Sequence, residues 1–367
     1  MNYLDIDKIR SIHFEHTSKC NLLCPQCARV KDGKVVPELP LDELTLDDYK
    51  KILTPELVSQ LDKVFWCGNY GDSIASNTFL ECLEWVKSTG VPKISVITNG
   101  SARNSEWWVK VAKILNGPQD RVTFSIDGFE DTNHLYRVNA QWHKLIENVK
   151  AFIGAGGKAH WDYLIFDHNI HQVARAKTFA KKIGFESISF KNTSRFVNTA
   201  KFQEVMSEQV THRKGDYSIS SKENKNKTKY EQIIEKFGSF NEYVNQTPIN
   251  CKTKNEQNIF IDFQMKLWPC CWVGAPKHFH DKQNIQEKQL NKLLNRYSKD
   301  FNSLRKYSLE EVLEHDFYDK DLVSSWSNTM DSEISKLFTC GRTCGDSYEF
   351  SSSTRFNEKT YYLDEVQ

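Results

Sequence analysis

Short apolar runs alternate along the chain with longer amphipathic stretches. Residues 10–16 read as a strand. So do Lys63-Val-Phe-Trp-Cys67, Lys93-Ile-Ser-Val-Ile-Thr98, Arg121-Val-Thr-Phe-Ser-Ile-Asp127, Trp161-Asp-Tyr-Leu-Ile-Phe166 and Ser187-Ile-Ser-Phe-Lys191. Apolar positions recur at helical spacing after Thr45 and over 78–89, 105–116, 141–154 and 170–183. Thr45-Leu-Asp-Asp48 is a capping residue followed three positions on by a carboxylate, and Asn77 stands where it would cap the next helix. This pattern predicts βα units around a parallel sheet, with working residues at the C-terminal ends of the strands.

The alternation stops at about residue 197. Ser221-Lys-Glu-Asn-Lys-Asn-Lys-Thr-Lys229 carries charge but no apolar face, which predicts a solvated loop or mobile linker. Without interleaved aromatics it makes a poor nucleic-acid patch. Beyond it, Ile259-Phe-Ile-Asp-Phe263 and Lys266-Leu-Trp268 predict a hairpin, followed by helical segments within 285–337.

Composition narrows the class. With 49 basic against 48 acidic residues there is no global field for nucleic acid or an anionic membrane. The lack of a signal sequence or membrane-length apolar run predicts a soluble, cytoplasmic protein with no membrane partner. Ten cysteines in such a chain read as metal ligands and buried thiols rather than disulfides. Cys67 and Cys82 fit buried thiols; the others fall in two sets.

The first set, Cys20-Asn-Leu-Leu-Cys24-Pro-Gln-Cys27, follows the first strand. Three thiols so spaced can cap three irons of a cubane and leave the fourth iron open. An open metal position marks a catalytic site. A redox dithiol at Cys24 and Cys27, or zinc held with His13 or His16, are the alternatives the residues leave. The C-x3-C-x2-C spacing resembles the radical S-adenosylmethionine (SAM) superfamily, with Gln26 where that superfamily often has an aromatic residue. The resemblance implies a 4Fe–4S cluster on Cys20, Cys24 and Cys27, whose open iron binds SAM and whose electron yields a 5′-deoxyadenosyl radical. It also implies cofactor contacts elsewhere. Gly71 and Asp72 in Gly68-Asn-Tyr-Gly71-Asp72 occupy the place of a Gly-Gly-Glu-Pro motif, with Asp72 meeting the SAM ammonium. Asn99 lies in a family-like turn, and Ser125 and Arg137 contact ribose or carboxylate. A plain turn and a surface arginine are the ordinary alternatives.

The second set resembles the twitch or SPASM extension of that superfamily, implying an auxiliary 4Fe–4S cluster on Cys251, Cys270, Cys340 and Cys344. The family glycine five positions before the second cysteine is absent. Counting back from Cys270 reaches Met265, in the expected turn, whereas Cys271 leads to Lys266; this favours Cys270. A four-cysteine zinc site is the alternative.

The implied fold is α/β: a partial (β/α)6 TIM-like barrel over 1–196, a connecting region at 197–250, a cysteine-ligated β-hairpin-plus-helix domain over 251–345, and a tail at 346–367. The implied chemistry is that of an oxidoreductase, served by an electron donor such as flavodoxin or ferredoxin. Its auxiliary cluster accepts an electron as a peptide or protein side chain is oxidised or cross-linked. The alternative substrate is a small sugar, aminocyclitol or nucleotide. A start only 19 residues before Cys20 leaves no room for a fused peptide-recognition domain, which weakens the peptide reading without removing it. Lys191, Arg195, Tyr163, Asp167 and His168 are candidate substrate-facing groups, the first three also candidate catalytic residues. Balanced charge counts against a tRNA-base modifier, and a methyltransferase or a non-catalytic zinc-stabilised binding protein stays open.

Overall fold

A computed structural model describes residues 3–192, 208–210, 215–221, 225–275, 284–346 and 359–363. Six strands form the parallel centre of one sheet: β1 (Ser11–Phe14), β2 (Lys63–Trp66), β3 (Ile94–Thr98), β4 (Arg121–Ser125), β5 (Ala159–Ile165) and β6 (Ser187–Asn192). They lie side by side in sequence order, as successive βα units require. Between them run α1 (Leu46–Ile52), α2 (Phe79–Ser88), α3 (Ser105–Ile114), α4 (Trp142–Gly154) and α5 (Val173–Ile183).

Strand alternation separates two faces. Phe124 of β4 packs against Trp108 and Phe152 of the helices, and Trp161 of β5 against Phe179. Thr123, Ser125, His160 and Asp162 occupy the alternate positions and face inward.

Both edges of the parallel centre are extended. The hairpin β7 (Asn258–Ile261) and β8 (Leu267–Trp268) joins at β1, with β7 parallel to it. At the other edge β9 (Lys359–Tyr362) pairs antiparallel with β6, inside the segment expected to be a tail. The hairpin that leads into Cys270 is therefore part of the barrel sheet. The two outer strands of this nine-stranded sheet do not pair with each other, so the barrel is partial. This α/β architecture is the expected one.

Local chemistry explains the helix starts. Thr45 and Asp48 form a reciprocal capping box on α1. Asn77 does not cap α2: Thr78 precedes the helix without a side-chain bond, and the Asn77 side-chain Oδ1 accepts instead from Arg103 at 3.0 Å.

The linker expected at 221–229 is also corrected. A helix, α6 (Lys225–Phe237), begins inside it. The apolar face that supports it comes later, with Tyr230 and Ile233 packing against Phe240, Tyr243 and Val244 around α7 (Phe240–Gln246). Farther on, α8 (Ile285–Tyr297) and α9 (Phe338–Cys344) complete the C-terminal part. Among the described residues no helix is long and apolar enough to cross a membrane.

Candidate functional site

The three N-terminal thiols lie on the loop that leaves β1, at the C-terminal end of the parallel strands. Arg29 grips this loop from within, donating Nε to the Ser18 carbonyl at 3.2 Å and a terminal nitrogen to the Leu22 carbonyl at 3.1 Å. These two acceptors flank Cys20, so one buried side chain fixes its place in the chain. On the far side the Leu23 N–H bonds the Val138 carbonyl at 3.1 Å.

The turn after β2 braces the loop's other flank. The Asp72 N–H donates to the Lys19 carbonyl at 2.8 Å. Gly71 lies so close that an added Cβ would sit 1.8 Å from the Thr17 carbonyl oxygen, so a side chain is excluded there. Beneath the turn lies Glu15, whose carboxylate accepts from the Tyr70 N–H at 2.7 Å. Burial pushes its carboxyl up to about 8, against the pull of backbone donors. Sequence reading missed Glu15. Its only trace was a charge within a strand-like run.

Asp72, expected to meet an ammonium, directs its carboxylate to the protein. It accepts from the Asn99 N–H at 2.7 Å, from the Thr98 hydroxyl at 2.9 Å and from the Ile74 N–H at 3.3 Å. Burial raises its pKa despite these donors. Asp72 thus joins the turns after β2 and β3. The Asn99 side chain reaches back to the cysteine loop, with Nδ2 at 3.1 Å from Asn21 Oδ1 and 3.7 Å from Cys20 Sγ.

Arg137 donates Nε to the Asp127 carboxylate at 2.5 Å, and Asp127 also accepts from the Leu164 N–H at 2.8 Å. Burial raises the Asp127 carboxyl, with the guanidinium pulling the other way. The terminal nitrogens of Arg137 make no hydrogen bond among the described residues, and its charge is felt at both Cys24 and Asp72. Cys20, Asp72, Asn99 and Arg137 thus come together around the loop, while Ser125 faces inward from the end of β4.

The candidate substrate groups separate. Lys191 pairs with Asp162 at 2.7 Å, and His160 donates to the same carboxylate at 3.0 Å. Burial works against that charge, yet the two partners hold the Asp162 carboxyl below the usual range. Tyr163 is buried on the helix-facing side of β5, with its hydroxyl on the Asn169 carbonyl at 2.8 Å. His168 stacks on Phe166, and burial lowers it to about 4; Asp167 bonds Ser220. Arg195 lies outside the described residues.

A further element escaped sequence reading. The short hairpin Glu208–Val210 and Tyr217–Ile219 packs on Tyr136, Val138 and Phe166, with Leu23 and Cys24 at its margin. The Tyr217 hydroxyl donates to the Leu135 carbonyl at 2.6 Å. Strands of three residues carry too little periodicity to be recognised.

In the second set, Cys340 and Cys344 lie one turn apart on α9. The Cys344 thiol donates to Cys251, which holds Cys251 down at about 6 and pushes Cys344 up. Burial raises Cys270, and the charges of Cys271, Cys251 and Cys340 add to the effect. Cys251, Cys270, Cys340 and Cys344 are therefore neighbours. Lys336 lies buried within electrostatic reach of Cys340, with its ammonium on the Asn245 and Thr247 carbonyls at 2.8 and 3.2 Å.

Among the described residues no three His, Cys, Asp or Glu side chains converge on a point as a single metal ion requires. A four-iron cluster asks for something else: soft thiolates, each on its own iron, with donors and cations nearby to balance the charge. Three thiols beside Asn99 and Arg137, and four beside Lys336, match that donor chemistry.

No protein-family model matches the chain, and no curated protein matches it. Solved structures do. Streptococcus suis SuiB bound to S-adenosylmethionine superposes with a TM-score of 0.52 at 13% identity, covering 95% of this chain and 75% of SuiB. SuiB bound to the precursor peptide SuiA gives 0.53 at 12% identity, over 95% and 76% of the two chains. The enzyme anSMEcpe with bound S-adenosylmethionine gives 0.50 at 12% identity, covering 90% of each chain. The chain thus shares its fold with these solved structures, two of which hold S-adenosylmethionine.

Proposed function

We propose that the chain is a radical SAM enzyme in which Cys20, Cys24 and Cys27 hold a 4Fe–4S cluster and the barrel mouth binds S-adenosylmethionine. The observation that carries this is the placement of three thiols on a braced loop at the C-terminal end of a partial βα barrel, beside Arg137. Such a cluster supplies the electron that converts bound SAM into a hydrogen-abstracting 5′-deoxyadenosyl radical. The protein's part is to position and to shield. Arg137, fixed through Nε by Asp127, offers its terminal nitrogens to a carboxylate. Asp72 orders Thr98 and Asn99 around the site, and Ser125 lines its floor. The hairpin ending at Ile219 covers the Cys24 side.

Cys251, Cys270, Cys340 and Cys344 would hold an auxiliary 4Fe–4S cluster that accepts the electron left after hydrogen abstraction. The net reaction is then an oxidation or cross-link. The precursor peptide bound by SuiB supports a peptide or protein side chain as substrate. The inward-facing His160, Asp162 and Lys191 are the groups placed to meet it. A flavodoxin or ferredoxin would supply electrons in the cytoplasm.

Anaerobic reconstitution tests this. The wild type should hold about eight irons and the Cys20→Ala/Cys24→Ala/Cys27→Ala variant about four, as two four-iron clusters require. Reduced wild type should convert SAM to 5′-deoxyadenosine, and the variant should not. Zinc in place of iron at both sites would overturn the proposal.

A further inference from the structure

We propose that Asn99 is a positioning residue that donates a hydrogen bond to the Cys20 sulfur and thereby sets the reduction potential of the group the N-terminal thiols hold. The inference rests on the iron–sulfur reading of those thiols and goes beyond the cofactor contact expected of Asn99.

The orientation of the Asn99 amide is fixed by its partners. Its Oδ1 accepts from the Ser101 N–H at 2.8 Å and from the Ser101 hydroxyl at 2.7 Å. A backbone N–H can only donate, so the oxygen must face Ser101 and the NH2 must face away. That NH2 lies 3.7 Å from Cys20 Sγ and shares its hydrogens with Asn21 Oδ1 at 3.1 Å. Asn21 in turn donates to the Ser101 hydroxyl at 2.9 Å, closing a ring of bonds around the amide.

The backbone is equally constrained. The Asn99 N–H is held by Asp72, and the carbonyl of Gly100 accepts from Asn148 at 3.1 Å. Gly100 has a φ of 68°, and a Cβ there would lie 2.6 Å from the Phe124 ring. The turn therefore cannot drift from the loop without breaking a packed core.

Cys20 has a second donor, the Leu22 N–H at 3.4 Å. Both donors persist when the thiol loses its proton, and a thiolate accepts more strongly than a thiol. Hydrogen bonds to cluster sulfurs favour the more negative, reduced state and raise its potential. Removing the Asn99 donor should therefore make reduction of that centre harder.

The test is an EPR-monitored redox titration of the reconstituted full chain. The N-terminal signal is identified as the one absent from the Cys20→Ala/Cys24→Ala/Cys27→Ala variant. Asn99→Ala should move its midpoint to more negative potential and leave the other signal's midpoint in place. Ser101→Ala, which loosens the amide but keeps it, should shift the same midpoint in the same direction by less. An unchanged midpoint in Asn99→Ala at wild-type iron content overturns the inference while leaving the iron–sulfur reading intact. Should Asn99→Ala lose the N-terminal iron, Ser101→Ala decides: no shift there overturns it. A wild type without an N-terminal signal removes the iron–sulfur reading, and this inference with it.

Discussion

The Asn69 side chain donates to the Cys271 carbonyl at 3.0 Å, bridging the turn after β2 and the segment that carries Cys270 of the second thiol set. The neighbouring Tyr70 hydroxyl bonds the Ala275 carbonyl, so two successive residues anchor the same segment. The backbone of this turn also braces the Cys20 loop, which links the two thiol sets mechanically. Asn69→Ala should cost about 1 kcal/mol, the usual worth of one such bond. Urea denaturation of wild type and variant measures it; a loss indistinguishable from zero would mean that the Tyr70 bond suffices.

Cys270 and Cys271 are adjacent in sequence but unequal in place. Cys270 feels the charges of Cys251 and Cys340, and Cys344 in turn feels that of Cys270. Cys271 instead begins the short helix Cys271–Gly274 and is the more exposed. Cys270→Ser should therefore lower the reconstituted iron from about eight to about four, and Cys271→Ser should leave it near eight. Iron loss from Cys271→Ser alone would reverse the assignment.

Much of this organisation was legible because it is local. Apolar periodicity revealed the alternating strands and helices, and the spacing Cys20, Cys24, Cys27 marked the first candidate site within eight residues. The features that escaped depend on partners far along the chain. Glu15 is buried because the turn at 69–71 folds over it, and β9 exists because the edge of β6 was open. The turn at Met265, by contrast, was legible from the two strand-like runs around it, although the family glycine there is replaced by a methionine.

The buried carboxyl of Glu15 should make stability depend on pH. Its pKa in the folded chain is about 8, above the unfolded value, because burial disfavours the charge. Folding therefore favours the protonated form. Its contribution is complete below about pH 4.5 and is lost as pH rises through 8, by an amount on the order of several kcal/mol. Glu15→Gln keeps an acceptor for the Tyr70 N–H but cannot ionise. Denaturation at pH 5, 7 and 9 should show the wild type losing stability relative to this variant. Parallel curves would place the carboxyl in a more polar setting than its burial suggests.

Arg137 and Asp127 form a pair in which each partner answers for the other's burial. Arg137→Met leaves the Asp127 carboxylate without its cation and should cost about 3–5 kcal/mol. Arg137→Met/Asp127→Asn removes both charges and should recover part of that loss. The double variant should still bind SAM poorly, because the terminal nitrogens proposed to meet its carboxylate are gone. Equilibrium denaturation separates the first effect from the second, which isothermal titration with SAM reads directly. Full SAM affinity in the double variant would show that Arg137 serves the fold alone.

Met265 stands at a φ of 60° between β7 and β8 and is fully buried. Two effects oppose each other in Met265→Gly. A left-handed conformation costs a residue with a Cβ about 1–2 kcal/mol, which glycine would recover. Truncating a buried methionine costs about 2–5 kcal/mol, and glycine loses at least that much side chain. Packing is the larger effect, so the variant should be less stable than wild type by ~2 kcal/mol on these figures. The turn itself should survive, because the Met265 N–H to the Asp262 carbonyl and the Leu304 N–H to the Met265 carbonyl are backbone bonds of 2.9 and 2.8 Å. Iron at the second thiol set should accordingly stay at its wild-type content while the denaturation midpoint falls. A more stable variant would mean that the methionine side chain contributes little to the core and that backbone strain dominates this turn.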